Sequence, residues 1–432
     1  YNGFVLPIAN GYLINTAGKE RNYRIGVARK RDNGLTRLSY SKYDLQAGFF
    51  SGAVGIPKAY LLEEDGDRRN INLPYQQVSH HKMTMNHLVY WGNKHLAIDL
   101  GYQLNERAEH SYPEFHNIPP GDEDFTLGQF FQLQTYTANA HLEWEGSEGF
   151  RQVIGVNGQH QINSIAGFDY LLPDFNNQRA GAYYLANWKK GSSWELNGGL
   201  RTDFGRNDVL ANSRYLYNSD NIIIDSLEYE GLLKNYGNLS AAFGLRKSIG
   251  QRSQFKLNLA RSFRMPYPNE TSSNGVHHGT FRHEQGSTNL NGETGHSLEG
   301  VYEYSNATID IFLSTFGSFY NGFIYLAPSA RFSPLPEAGQ VYQYVQNDAI
   351  FWGVEYSLEW LLADFAQIDH SLEYVWNYNM QTGLGLPFTP PLSVLTSFEW
   401  HTHFTSHRNM LKLKMSHEWV APQNRTDRNE RS

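Results

Sequence analysis

The stretch SFRMPYPNETSSNGVHHGTFRHEQGSTNLNGE, Ser262 to Glu293, decides how the chain is read. It follows the alternating segment Phe255-Lys256-Leu257-Asn258-Leu259 and precedes another that starts near His296. By period it is therefore a long loop between two strands. Its four Gly, two Pro and three His are poor material for a core.

Period-two alternation continues outward from this loop in both directions. Leu96, Ile98, Leu100, Tyr102 and Leu104 share one face of a segment whose other face carries Asp99, Gln103, Asn105 and Arg107. Trp194, Leu196, Leu200 and Phe204 oppose Glu195, Asn197, Arg201 and Asp203 in the same way. Many such segments run to roughly ten residues or more, about the length a tilted strand needs to cross hydrocarbon. Arg21–Lys30 and Leu35–Gln46 flank Asp32-Asn33-Gly34, a strong hairpin signal, and Val78–Trp91 and Lys94–Ala108 flank Gly92-Asn93. Short turns recur at Gly146–Gly149, Lys190–Ser192, Gly250–Arg252, Ser305-Asn306, Ala363-Asp364 and Ser406-His407. Long loops recur at about Ala47–Gln77, Glu109–Phe130, Ala166–Arg179, Gly205–Tyr236, Met265–Gly295, Tyr320–Gln340 and Met380–Pro391. Tight turns at one end and long loops at the other are the habit of an outer-membrane barrel. The pattern predicts an all-β fold, a transmembrane antiparallel β-barrel, with about sixteen strands in this chain.

Composition fits that reading. Aromatic residues make up 14% of 432 residues, with 28 Tyr, 25 Phe and 9 Trp. No apolar run approaches the roughly eighteen residues of a membrane-spanning helix. A mean hydropathy of -0.54 is what alternating lipid-facing and water-facing residues average to. The absence of Cys excludes disulfide scaffolds, thiolate metal sites and cysteine nucleophiles. The net charge is -7 with basic residues scattered, so nucleic acid is not an expected partner. The chain opens on Tyr1 without Met or leader and closes on a polar run, Asn424 to Ser432, so it is expected to be a mature or partial portion of an exported protein.

The central loop resembles that of the TonB-dependent outer-membrane receptors. These carry Phe-Arg-x-Pro after a barrel strand, then Asn-Gly-x-His-x-Gly-Thr, then Gly-Asn-Pro-Asn-Leu-x-Pro-Glu. Phe263, Arg264 and Pro266 match the first element, and Asn274, Gly275, His277, Gly279 and Thr280 match the second. Gly286, Asn289, Leu290 and Glu293 match the third, from which Ser287, Thr288 and Gly292 depart. Phe351-Trp352-Gly353-Val354-Glu355 looks like the family's Gly-x-Glu strand start, and Leu386–Pro391 looks like its Pro-x-x-Pro-Pro loop. Asn105–Glu109 is similar to an Asn-x-Arg-x-Glu strand end of metal and metal-chelate importers.

The resemblance implies a roughly 22-stranded barrel filled by an N-terminal plug, so residues 1–432 are expected to form a partial barrel domain without plug or terminal strands. It implies loops that capture a scarce nutrient, a plug that shifts on binding, and an inner-membrane TonB complex that pulls the plug with proton-motive force. Cargo is expected to be zinc, iron, haem or a metal-siderophore, with no intrinsic cofactor. Expected surroundings are the bacterial outer membrane, its lipid bilayer and lipopolysaccharide, and a surface lipoprotein as a further partner. A vitamin or glycan receptor and a passive porin-like channel are the alternatives. No bond in the cargo need break, and no Gly-x-Ser-x-Gly element or Ser-His pairing stands out, so no enzyme is expected.

Candidate cargo residues are His277, His278, His283 and Glu284 in the central loop, with Arg264 at its base and His110 and His116 in an earlier loop. His277 and His278 are also the candidate metal ligands, because imidazole suits zinc and axial haem contact alike. Haem receptors of the resembled family carry a His in the interval that these two occupy. The alternative reading is that the loop histidines shape the loop by bonding to backbone. Glu109, His110, Glu114, His116, Asp122, Glu123 and Asp124 either gather a cation or form a solvated loop. His80, His81 and His87 fit a girdle or lumen position, with His81 and His87 on one face. Glu63–Asp67 lacks the spacing of a calcium loop. Glu195, Arg201 and Asp203 are expected to line a solvated or plugged lumen.

Overall fold

The computed structural model describes residues 15–49, 69–112, 125–218, 220, 222–277, 280, 282–335, 338–404 and 409–430. In chain order the strands are β1 (Gly18–Arg31), β2 (Gly34–Gly48), β3 (Tyr75–Trp91), β4 (Lys94–His110), β5 (Leu127–Glu145), β6 (Phe150–Ala166), β7 (Phe175–Lys190) and β8 (Trp194–Val209). A small hairpin, β9 (Asn212–Tyr217) and β10 (Ile223–Tyr229), precedes β11 (Leu232–Ile249) and β12 (Ser253–Arg264). The central loop then holds a short helix, α1 (Pro268–Ser272), and a second hairpin, β13 (Asn274–His277) and β14 (Arg282–Gln285). The chain continues through β15 (Glu293–Ser305), β16 (Ile309–Phe332), β17 (Gln340–Ala363), β18 (Ala366–Asn379), β19 (Ser393–Phe404) and β20 (Asn409–Val420).

Leaving out the two hairpins, sixteen strands form one antiparallel meander, each paired with the next. That is the number the alternation predicts. Among the described residues β1 pairs with β2 alone and β20 with β19 alone. No helix among them is long and apolar enough to cross a membrane, which says nothing about crossing by strands.

Register carries the alternation across the wall. One row runs Phe243, Leu259, Leu298, Gly317, Trp352 and Trp376, while the next position on the same strands reads Gly244, Asn258, Glu299, Phe316, Gly353 and Val375. Followed from strand to strand, all nine Trp fall on the apolar face. Trp91, Trp144, Trp188, Trp194, Trp360 and Trp400 stand at the short-turn rim, with Lys247 4.0 Å above the ring of Trp194. An apolar band edged by Trp and Lys is the dress of a bilayer interface, where the ring sits at headgroup level and the ammonium reaches water. Val27 and Val156 on this face are 70% and 56% exposed, which a water-facing wall would not sustain row after row. The opposite face carries Glu195 paired with Arg246, and Arg201 paired with Asp203.

The long-loop end differs from the sequence expectation. Residues 320–332 are not a loop: β16 runs on to Phe332 and β17 starts at Gln340, each 24 residues long and projecting beyond the wall. Gly322, with φ +66°, marks a bulge between Tyr320 and Phe323 that keeps the ladder going instead of ending it. The central loop, expected to lack core, supplies Val276 (2% exposed) to a buried cluster with Leu216, Leu227, Tyr229 and Leu335, flanked by Tyr170 and Ala338. This second unit, the roof, is built from the two hairpins, residues 168–171 and the segment before β17. The turn at Ser406-His407 and the Glu63–Asp67 run lie outside the described residues.

Candidate binding site at the long-loop end

The base of the central loop is a carboxylate staple. Arg264 at the end of β12 donates from Nη1 to both oxygens of Glu270 (2.9 and 2.7 Å) and from Nη2 to Glu293 (3.1 Å). Glu270 also accepts from the Tyr267 N–H at 2.8 Å, closing the first turn of α1. Glu293 also accepts from the Ile324 N–H at 2.9 Å, tying the loop to β16. Asn207, fully buried, donates to the Pro266 carbonyl at 2.9 Å. The Phe-Arg-x-Pro and terminal Glu of the motif thus fix one crossing point, and Arg264 directs its donors to protein carboxylates.

Above this point the β13–β14 hairpin is seated by close backbone approach. A Cβ at Gly275 would overlap the Tyr170 carbonyl, so only glycine fits. The Asn274 N–H donates to the Leu171 carbonyl at 3.0 Å, and Gln129 Nε2 to the Val276 carbonyl at 3.3 Å. His283 is 3% exposed and both its ring nitrogens are engaged, Nδ1 with Ser333 Oγ and Nε2 with Asn274 Oδ1, each at 2.9 Å. Burial, with the Arg331 and Arg214 charges nearby, pushes His283 down to about 4. It is a neutral bridge that ties both strands of the central-loop hairpin to the segment after β16. Arg214 forms a buried ion pair with Asp169 at 2.7 Å, with side chains 4% and 2% exposed.

Glu284 accepts from the Tyr344 hydroxyl at 3.4 Å, and Asn269 donates to the same hydroxyl at 3.2 Å. Burial and the Glu284 carboxylate push Tyr344 up to about 12. Next to it Arg282 packs beside two rings, 4.6 Å from Tyr342 and 5.0 Å from Phe388, which stack on each other at 6.3 Å. Nearer the wall, exposed Tyr267 has the guanidinium of Arg179 at 4.5 Å from its ring. These ring and guanidinium pairs were not singled out by sequence reasoning. Arg282 carries no signal beyond adjacency to His283.

The remaining candidates separate. His277 ends β13 in register with Arg282. His278, His116, Glu114, Asp122, Glu123 and Asp124 lie outside the described residues. His110 stacks on Tyr75 at 4.6 Å and pairs with Thr126 Oγ1 at 3.2 Å, at the tip of β4. Glu109 is buried against Gln76 and Arg107. His81 and His87 do share the apolar face, where they bond to Tyr40 and Thr36, both at 2.8 Å. Among the described residues no three His, Asp or Glu side chains gather as a metal site.

A polar-lined, Trp-girdled wall below a packed set of long loops has a match in a known family. The family model "TonB dependent receptor-like, beta-barrel" covers residues 10–431. This chain belongs to that family. A sequence search of curated proteins found no match. Among solved structures, the copper transporter OprC superposes with a TM-score of 0.71 at 16% identity, over 96% of this chain and 61% of that one. The FrpB iron transporter from Neisseria meningitidis gives 0.60 at 14% identity, over 95% of this chain and 60% of that one. The Serratia marcescens hemophore receptor HasR, solved with its hemophore HasA and heme, gives 0.63 at 15% identity, over 89% and 62%. At such identities the likeness is one of fold. The TonB-dependent receptor barrel described here spans about three fifths of the length of the relatives it matches.

Proposed function

We propose that this chain is the barrel part of a receptor in the outer membrane of a Gram-negative bacterium. It captures a metal-bearing complex at the roof and imports it with energy supplied by the inner-membrane TonB complex. The observation that carries this is the Arg282 guanidinium packed beside the stacked pair Tyr342 and Phe388. A flat cation beside a pair of aromatic rings suits an anionic, ring-bearing ligand such as a siderophore chelate or the propionates and macrocycle of haem. A bare ion fits less well, because His283 has both nitrogens engaged and no three-ligand cluster forms among the described residues. The named cargoes of the structural relatives, copper, iron and heme, support a metal-bearing nutrient over a vitamin or glycan. His277, in register with Arg282, and the adjoining His278 of the sequence are proposed to present an imidazole to that cargo.

Import then follows from differential binding. Cargo held by the roof favours one arrangement of loops and plug over another, and no chemistry on the cargo is required. The test is binding by the whole purified receptor to ferric chelates, haem, Cu2+ and Zn2+, followed by absorption and elemental analysis. Chelate or haem is expected to bind, with affinity at least about tenfold lower in Arg282→Ala, as loss of a charge-assisted hydrogen bond of ~1.5–3 kcal/mol to the ligand's anion implies. The His277→Ala, His278→Ala double variant is expected to lose haem or metal retention while the barrel stays folded. Stoichiometric binding of Cu2+ or Zn2+ alone, unchanged in Arg282→Ala, would overturn the preference for a complex.

A further inference from the structure

We propose that the apolar face of the wall between β8 and β17 carries a discrete lipid site, a trough for the acyl chains of a phosphorylated glycolipid of the lipopolysaccharide class. Arg261 and His296 head it and bind the lipid's phosphate. The proposal rests on the reading that this face meets the outer membrane.

The trough has a volume of about 970 Å3 and is walled by Leu200, Phe243, Leu259, Leu298, Phe319 and Trp352. Gly317 lies at its floor, in register with Leu298 and Trp352, and Gly300 follows two positions after Leu298 on the same face. A Cβ at either glycine would meet nothing within 4 Å, so no contact inside the protein demands glycine there. Glycine in a strand interior costs backbone entropy and marks a place where another molecule comes close. Gly317 in the trough, with Gly300 diagonal to it on the adjacent strand, keeps a notch open that leucine or valine would fill without strain.

Two polar side chains stand at the upper end of this otherwise apolar surface. Arg261 and His296 are register partners, in the row Ala241, Arg261, His296, Phe319, Ile350. Arg261 lies eight residues above the start of β12, at the short turn. With a rise of ~3.3 Å per residue and a tilt of ~40°, that is about 20 Å up an apolar band of ~25 Å, near headgroup level of the outer leaflet.

Part of the reason for an arginine there is structural. Among the described residues β11 follows β8 up to Leu232 but pairs with β12 only from Ala241 downward. The guanidinium caps that parting of strands, donating from Nη1 to the Leu239 carbonyl and to Asn238 Oδ1. Its Nε and Nη2 make no hydrogen bond, and it has no carboxylate partner, among the described residues. A guanidinium at the membrane edge with a planar pair of donors directed to no protein group calls for a phosphate, which it can take in bidentate fashion. The imidazole of His296, exposed beside it, adds a second donor. Anionic head above and notched apolar floor below define one occupant, a phosphorylated lipid whose acyl chains run down the wall.

The test is the whole receptor purified in mild detergent, with bound lipid identified by native mass spectrometry and by phosphate and 3-hydroxy fatty acid analysis. One lipopolysaccharide per receptor is expected to survive washing. Gly317→Leu, which fills the notch without touching the strand parting, is expected to lower retention at least fivefold, and His296→Leu to lower it as well. Arg261→Gln is expected to do the same, with heat-modifiable gel migration monitoring the fold. Equal retention in Gly317→Leu and His296→Leu, or phosphatidylglycerol binding as tightly as lipopolysaccharide, would overturn the assignment. A receptor found in the outer-membrane fraction without retained glycolipid refutes the site alone. A protein absent from that fraction refutes the receptor reading and this site with it.

Discussion

The wall and the roof solve burial in opposite senses. In the wall the apolar side chains point away from the protein, and Val156 at 56% exposure is one position in a largely apolar band. In the roof Val276 and Leu335, at 2% and 1% exposure, point inward, and what faces out at Ile223 (53%) faces water. The same fractional exposure therefore means lipid contact in one region and solvation in the other. The roof holds its own small core and ion pair, so it is expected to open separately from the strands below. Such local opening is where binding loops draw their freedom.

The largest effect that distinguishes the two regions is expected at the buried ion pair. Arg214→Leu removes the ion-pair partner of Asp169 and should destabilise the roof by ~3–5 kcal/mol. Hydrogen exchange should then speed up in β9, β10, β13 and β14 with β4 to β7 unchanged. Uniform acceleration through the wall would mean that the two regions are one cooperative unit. Leu335→Ala removes a fully buried side chain from the roof core and should cost ~2–4 kcal/mol, again confined to the roof by the same readout.

Acid provides a graded version of the same test. The pKa of His283 in the roof is about 4, below the ~6.5 of an unfolded imidazole, so the packed roof favours the neutral ring. Its contribution is fully present above about pH 6.5 and is lost as pH falls toward 4, on the order of 3 kcal/mol in all. Exchange in β13 and β14 should rise over that window, and His283→Gln should flatten the dependence. A smaller change is expected from Ser333→Ala, which leaves His283 Nδ1 without its partner and should cost ~1–2 kcal/mol.

How much of this was legible follows from the same contrast. Alternation over ten or more residues is imposed by two different solvents on the two faces of a strand, so all sixteen wall strands and the bias of turns and loops were readable. Asp32-Asn33-Gly34 and Gly92-Asn93 set hairpins by local backbone preference alone. The roof has no such period. Val276 sits between Gly275 and His277, and Leu335 among prolines, so their burial comes from contacts between segments far apart in sequence. Gly322 and Pro328 read as loop signals because a bulge and a turn use the same residues. Arg264 attracted a ligand reading because an arginine ready for a carboxylate looks the same in sequence whether the carboxylate belongs to cargo or to Glu270 and Glu293. His283 was legible as a chemically capable residue, but its engagement by Asn274 and Ser333 was not.

The most direct measurement compares Val156→Arg with Ile223→Arg, two substitutions at sites of nearly equal exposure, by folding equilibrium of the receptor in lipid vesicles. Val156→Arg should destabilise by ~2–4 kcal/mol because its side chain meets hydrocarbon. Ile223→Arg should fall within about 0.5 kcal/mol of the parent because its side chain meets water. Near-equal effects of the two would contradict a lipid-facing wall below a water-facing roof.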